Sequence, residues 1–175
     1  MFYLVLGGSM SNIDLYYYAN KALIKYIHLA ENQLGNKIPI PSVSFKLRGK
    51  VAGKAYLQQW HIRLNPVLFR ENPLAFINEV IPHELAHLLT FQKFGKVRPH
   101  GTEWKAMMED VLSSPAKTTH SFDISSVQGR TFEYHCQCQM HALTIRRHNK
   151  VRTNKASYHC RQCQQLLKFS GIESH

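Results

Sequence analysis

The segment His83-Glu84-Leu85-Ala86-His87 constrains this chain more than any other stretch. It lies within a run from Leu74 to Phe91 whose apolar residues surround nearly the whole circumference of a helix, so that helix belongs at the buried centre of a domain. Burying two imidazoles and a carboxylate there is costly unless they share a partner. On a helix, positions i and i+4 lie on one face, so His83 and His87 can reach the same ion. Zinc suits neutral imidazole ligands and tolerates an open coordination position. Glu84 adjoins the first ligand and can sit beside that position without being a ligand. There it would act as general base on water held by the metal, whose pKa zinc lowers to about 7, and then pass the proton to a leaving amine. The pattern therefore points to zinc-dependent hydrolysis, with a peptide bond as the natural substrate. The bland alternative is a chance spacing of three polar residues, and it leaves all three without a partner.

A catalytic zinc usually takes three protein ligands plus water. A glycine and a third histidine soon after the helix motif would supply the familiar extension, but Thr90 and Lys93 occupy those places. His100, thirteen residues after His87, is the leading third ligand. Gly95 ends the helix, the loop from Lys96 to Pro99 is long enough to turn back, and Gly101 permits close backbone approach. Glu103, Glu109 and His120 are the competitors.

Around this helix the sequence reads as α+β. Residues 12–34 repeat Leu15, Ala19, Ala22, Leu23, Tyr26, Ile27, Ala30 and Leu34 at helical spacing, with Gly35 as the stop. Val43, Phe45 and Leu47 alternate as in a half-buried strand, Ala55 to Leu57 suits a second, and Trp60, Ile62 and Leu64 a third ended by Asn65-Pro66. Asn72-Pro73 opens the central helix, inside which Pro82 predicts a kink or a split. Thr102 is placed to cap a further short helix carrying Trp104, Met107 and Met108. The serine-rich stretch 113–129 reads as a connector. The expected domains are thus 12–128, catalytic, and 129–170, a small cysteine-bearing module.

All four cysteines fall in that module. Tyr134-His135-Cys136-Gln137-Cys138 is echoed by Tyr158-His159-Cys160-Arg161-Gln162-Cys163, two knuckles separated by an expected hairpin from His141 to Ser157. In a reducing compartment such clustering favours metal over disulfides. Cys136, Cys138, Cys160 and Cys163 are the expected ligands of a second, structural zinc, with His141 as an alternative to one of the first pair. The first pair lacks the usual two-residue spacer.

Net charge is +11, and residues 129–175 carry eight basic against two acidic residues. Arg146, Arg147, Lys150, Arg152 and Lys155 crowd the expected hairpin, which suits phosphate contacts with DNA or RNA. A solvated tip is the plainer reading of the same residues. No apolar run approaches the ~20 residues of a membrane span. Phe2 to Leu6 is apolar but short and lacks a basic leader, so it does not read as a signal peptide, and Met10 is a second candidate start. A cytoplasmic location is expected.

His83 to His87 preceded by Pro82, followed by Pro99-His100-Gly101 and Trp104, resembles the SprT-like family of zinc metallopeptidases. The segments Arg48-Gly49, Gly53-Lys54-Ala55 and Ile62-Arg63-Leu64-Asn65, together with Phe122 and the paired cysteines, carry the resemblance over roughly residues 12 to 168. It implies a zincin-like domain with a short sheet, His83, His87 and His100 on zinc, Glu84 catalytic, and a zinc-ribbon-like module behind it. Eukaryotic relatives, the Spartan proteases, degrade proteins crosslinked to DNA, and the short bacterial members are the more similar ones. The resemblance also places the Trp60–Asn65 strand at the sheet edge, where a protein substrate would pair. Two rivals remain: a non-catalytic nucleic-acid-binding zinc protein with a closed, structural histidine site, and a zinc hydrolase with a deep pocket for small molecules.

Overall fold

The computed structural model describes residues 10–119 and 122–174, so Phe2 to Leu6 and His120 lie outside the described residues. The chain divides into two compact units, with the division after Val127.

In the first unit, helix α1 (Asn12–Leu34) opens on a capping box. Asp14 N–H donates to Ser11 Oγ at 3.2 Å, and Ser11 N–H donates back to the Asp14 carboxylate at 2.9 Å. Such a cap stabilises a helix by about 0.5–2 kcal/mol. Its apolar stripe from Leu15 to Ala30 is buried, and Gly35, in the left-handed conformation, ends it.

Three short strands follow, β1 (Ser42–Ser44), β2 (Gly53–Tyr56) and β3 (His61–Leu64), in the spatial order β1-β3-β2. β1 runs parallel to β3, and β2 antiparallel to it. The expected edge strand, Trp60–Asn65, is therefore the central one. Its Ile62 and Leu64 side chains are fully buried on the core-facing side. A 3-10 turn (Leu57–Gln59) and Trp60, at φ 48°, fold β3 straight back along β2. Among the described residues, β1 and β2 are the edge strands.

Asn65-Pro66 does more than end a strand. Asn65 Oδ1 accepts the N–H groups of Val67 and Leu68, and Pro66 stands at the first position of helix α2 (Pro66–Glu71). Asn72 and Pro73 then start α3 (Pro73–Ala75), which runs through a π-helical turn (Phe76–Val80) into the central helix α4 (Ile81–Phe94). Pro82 has no N–H to give, and its ring crowds the carbonyl one turn back. The helix absorbs this in the widened turn just before it, where Ile81 N–H reaches the Phe76 carbonyl. Nine residues of α4 are buried, among them His83 and Glu84.

Helix α5 (Thr102–Ala106) has Gly101, not Thr102, at its cap position, and no side chain caps it. The serine-rich stretch is more than a tether: Phe122, Ile124 and Val127 pack on the core, with Phe122 5.6 Å from the Phe76 ring.

The second unit is an antiparallel sheet of β4 (Thr131–His135), β5 (Met140–Thr144) and β6 (Lys168–Ser174), ordered β5-β4-β6. The expected hairpin from His141 to Ser157 is instead strand β5 running into helix α6 (Ile145–Arg152). That stretch holds no glycine or proline for a tight turn, while its arginines and lysine favour helix. His148 anchors the helix, buried with its ring stacked 3.7 Å from Phe132 and its Nδ1 3.1 Å from the Tyr134 hydroxyl.

Candidate metal centres

The first site is built from one helix and one loop. His83 and His87 project from the same face of α4, and His100 reaches them from the loop before α5, at φ 55°. Gly101 makes that loop possible, since a Cβ there would stand 2.9 Å from the Arg98 carbonyl. The three Nε2 atoms form a near-equilateral triangle with sides of 3.2, 3.1 and 3.0 Å. Tetrahedral nitrogens about 2.0–2.1 Å from a zinc ion stand about 3.3 Å apart, so the triangle fits that ion closely. Trp104, buried, backs all three rings with centroid distances of 4.7, 5.5 and 4.7 Å, and its Nε1–H points to the His83 carbonyl at 3.4 Å.

Protonation suits ligation. Burial, with His100 adding to it, pushes His87 down to about 4, and burial also lowers His100. Both are therefore neutral at physiological pH. His83 Nδ1 lies 3.3 Å from the Lys117 carbonyl, which can only accept, so the proton sits on Nδ1 and the Nε2 lone pair faces the site. Among the described residues, the grouping of ligand atoms contains these three histidines and no fourth residue. Glu103 and Glu109 are not part of it, and His120 lies outside the described residues.

Glu84 is buried beside the histidines, against β2. Burial pushes its carboxyl up to about 7, while the backbone N–H of Ala55 opposes the shift. Gly53 makes room for it: a Cβ at that position would meet Glu84 Cγ at 2.7 Å, Oε1 at 2.8 Å and Val80 Cγ1 at 2.9 Å. The role of Gly53 is not legible in the sequence, which places it just before a strand from Ala55 to Leu57, whereas it is the first residue of β2. That of Lys117 left no sequence signal, because a backbone carbonyl has no residue type.

The second site gathers Cys136, Cys138, Cys160 and Cys163, whose sulfurs all lie within 4.8 Å of one another. All four thiols are free, and separations of 3.4 and 3.6 Å exclude disulfides but approach the about 3.8 Å between thiolates on one zinc ion. The backbone N–H of Cys163, then that of Gln162, holds Cys160 down to about 5 against the opposing effect of burial. Cys138 is pushed up to about 12, chiefly because its proton is shared with Cys136 and Cys163. Four sulfurs that cannot all ionise together are a donor set awaiting a cation. His141 Nε2 stands 3.3 Å from Cys136 Sγ, at the margin of the same cluster. Arg146, Arg147, Lys150 and Arg152 are exposed on α6, and Lys155 on the turn after it.

The sequence model of the SprT-like family matches residues 23–122, and that of the SprT-like zinc ribbon domain matches residues 130–171. The chain belongs to the SprT-like family. It is 54% identical over 162 residues to Protein SprT of Vibrio parahaemolyticus, covering 93% of this chain and 98% of that one. It is 58% identical over 154 residues to Protein SprT of Vibrio atlanticus, covering 88% and 93%, and 54% identical over 152 residues to Protein SprT of Yersinia pestis, covering 87% and 89%. No solved structure matches. The histidine triangle and Glu84 fall within the SprT-like match, and all four cysteines within the zinc-ribbon match. No helix among the described residues is long and apolar enough to cross a membrane.

Proposed function

We propose that this SprT-like chain is a zinc-dependent metalloendopeptidase with a zincin-like catalytic domain. His83, His87 and His100 would hold the catalytic zinc, and the four cysteines would hold a second, structural one. The observation that carries the reading is the Nε2 triangle with a buried carboxylate, Glu84, beside it and an edge strand against that carboxylate.

A bound zinc supplies Lewis acidity, which lowers the pKa of water and polarises a carbonyl. Glu84 takes the proton of the attacking water and delivers it to the leaving amine nitrogen, so both proton transfers pass through one carboxylate. A carboxyl raised to about 7 by burial is matched to both halves of that task near neutral pH. The Lys117 carbonyl orients the His83 ring, and Trp104 keeps bulk water from the back of the three imidazoles. An extended substrate segment adds to the edge strand β2, whose inner face already touches Glu84. Three histidines, with no fourth grouped ligand among the described residues, favour an open catalytic site over a closed structural one.

The exposed arginines and lysines of α6 would dock the ribbon on DNA or RNA and so direct the peptidase to nucleic-acid-associated proteins. The peptidase reading is tested by Glu84→Gln, which should abolish hydrolysis of an unfolded protein substrate while the zinc content stays at the wild-type value. Wild-type turnover in a zinc-verified Glu84→Gln preparation would sink it.

A further inference from the structure

The two faces of the first sheet differ sharply in chemistry. Gly53, Ala55, Ile62 and Leu64 turn inward toward Glu84 and the core. The two-residue period then sends Lys54 and Tyr56 of β2, and His61 and Arg63 of β3, to the outer face. Ser42 and Ser44 of β1 join them there, their hydroxyls 2.7 and 2.9 Å from the two ring nitrogens of His61.

Positive charge is concentrated on this segment. Residues 32–70 contain seven Lys or Arg and no Asp or Glu, whereas the rest of residues 1–128 contain seven basic against nine acidic residues. Lys37 pairs with Glu31, and Arg70 binds the Met10 carbonyl and Asn12, so neither belongs to the outer face. Lys54 and Arg63 flank Tyr56 on the outer face, with the guanidinium 4.3 Å and the ammonium 5.2 Å from the ring centre. Arg63 Nε is buried there with no hydrogen-bond partner. Burial, and then the charges of Arg63 and Lys46, keep the His61 imidazole below its ordinary value, as a positive local field requires. Lys46 and Arg48 continue the strip along a groove of about 620 Å³ floored by Phe45 and Leu47.

A strip of cations interleaved with an aromatic ring, with no carboxylate among its strand residues, is complementary to a phosphate backbone carrying unpaired bases. Neither a neutral peptide nor a cationic one meets that pattern. We propose that the outer face of the β1-β3-β2 sheet is a second nucleic-acid surface, on the SprT-like unit itself. It holds a single strand through phosphates on Lys46, Lys54 and Arg63 and stacks a base on Tyr56. The surface is distinct from the basic helix of the ribbon, and it does not rest on the peptidase reading, because binding is read without hydrolysis.

The test uses the full, zinc-loaded chain and a fluorescent oligothymidylate about twenty nucleotides long, followed by anisotropy across a salt series. It is run in the natural background and in one carrying Arg146→Ala, Arg147→Ala and Lys150→Ala. Adding Lys46→Gln, Lys54→Gln and Arg63→Gln together should flatten the salt slope by about 2 in both backgrounds, at about 0.7 per phosphate on a single strand. Tyr56→Ala should weaken single-strand binding at least about fivefold and leave binding of a duplex of equal length unchanged. Unaltered zinc content and Tm verify that the variants are folded. Unchanged affinity and slope in both backgrounds would overturn the proposal. So would displacement of the oligonucleotide by polyglutamate at equal charge, which would reassign the face to acidic proteins.

Discussion

Replacing Gly53 with alanine puts one methyl group where the Glu84 side chain now lies. The added Cβ would stand 2.7 Å from Glu84 Cγ and 2.9 Å from Val80 Cγ1. Carbon atoms in contact keep about 3.5–4.0 Å, so about 0.8 Å must be found by moving strand or side chain. Val80 is fully buried in the π-helical turn and gives little. The displacement therefore falls on β2 or on the carboxylate. Overpacking of this kind costs about 1–3 kcal/mol of stability. A reacting group misplaced by about 1 Å costs on the order of 10²-fold in rate. Gly53→Ala should thus lower kcat/KM for protein hydrolysis on the order of 10²-fold, or about 2.7 kcal/mol of transition-state stabilisation. The histidine zinc should stay in place, because none of its three ligands touches Gly53. The assay is steady-state hydrolysis of an unfolded protein substrate, with metal analysis and Tm on the same preparation. Wild-type kcat/KM with full zinc would refute the steric argument. Loss of zinc in step with activity would refute the claim that Gly53 acts through Glu84.

Two further outcomes follow from the metal centres and the basic helix. Metal analysis of the reduced chain should give close to two zinc ions, and Cys160→Ser with Cys163→Ser should lower this to one and unfold the small second unit; a single zinc in the natural chain would contradict the assignment. Replacing Arg146, Arg147 and Lys150 with alanine should flatten the salt dependence of nucleic-acid binding by about two to three units while sparing cleavage of a short peptide, and unchanged binding at every salt concentration would leave α6 a solvated surface.

How much could be read beforehand depended on whether a feature lives in side-chain pattern or in backbone geometry. Helix α1 was legible because eight apolar residues repeat at its period and Gly35 stops it, and seven of the eight are buried. The histidine motif was legible because a four-residue spacing on one helix is already three-dimensional information, and His100 followed from loop length and the flexibility of Gly101. The edge of the sheet was not legible. Strand order is decided by pairing, and the alternation of Trp60, Ile62 and Leu64 is the same in a centre strand as at an edge. Helix α6 was missed because eight residues carry too little periodicity to outweigh an assumed hairpin, and its hold on the ribbon comes chiefly from His148, stacked on Phe132, with Val151 packed beside it. The basic outer face of the sheet was diluted by averaging charge over residues 1–128, where nine carboxylates elsewhere mask seven cations in one segment.

The contact between His83 Nδ1 and the Lys117 carbonyl sets the two metal centres apart in how they exchange protons with the medium. At the histidine triangle the His83 proton is parked away from the ligand position, and His87 and His100 hold no extra proton near neutrality. The cysteine cluster must give up at least the proton retained by Cys138 before four sulfurs can bind one ion. Under the proposed assignment, loading an ion at the cysteine cluster should therefore release protons to the medium and depend more steeply on pH than loading at the histidine triangle, a difference set by which atoms carry hydrogen before any ion arrives.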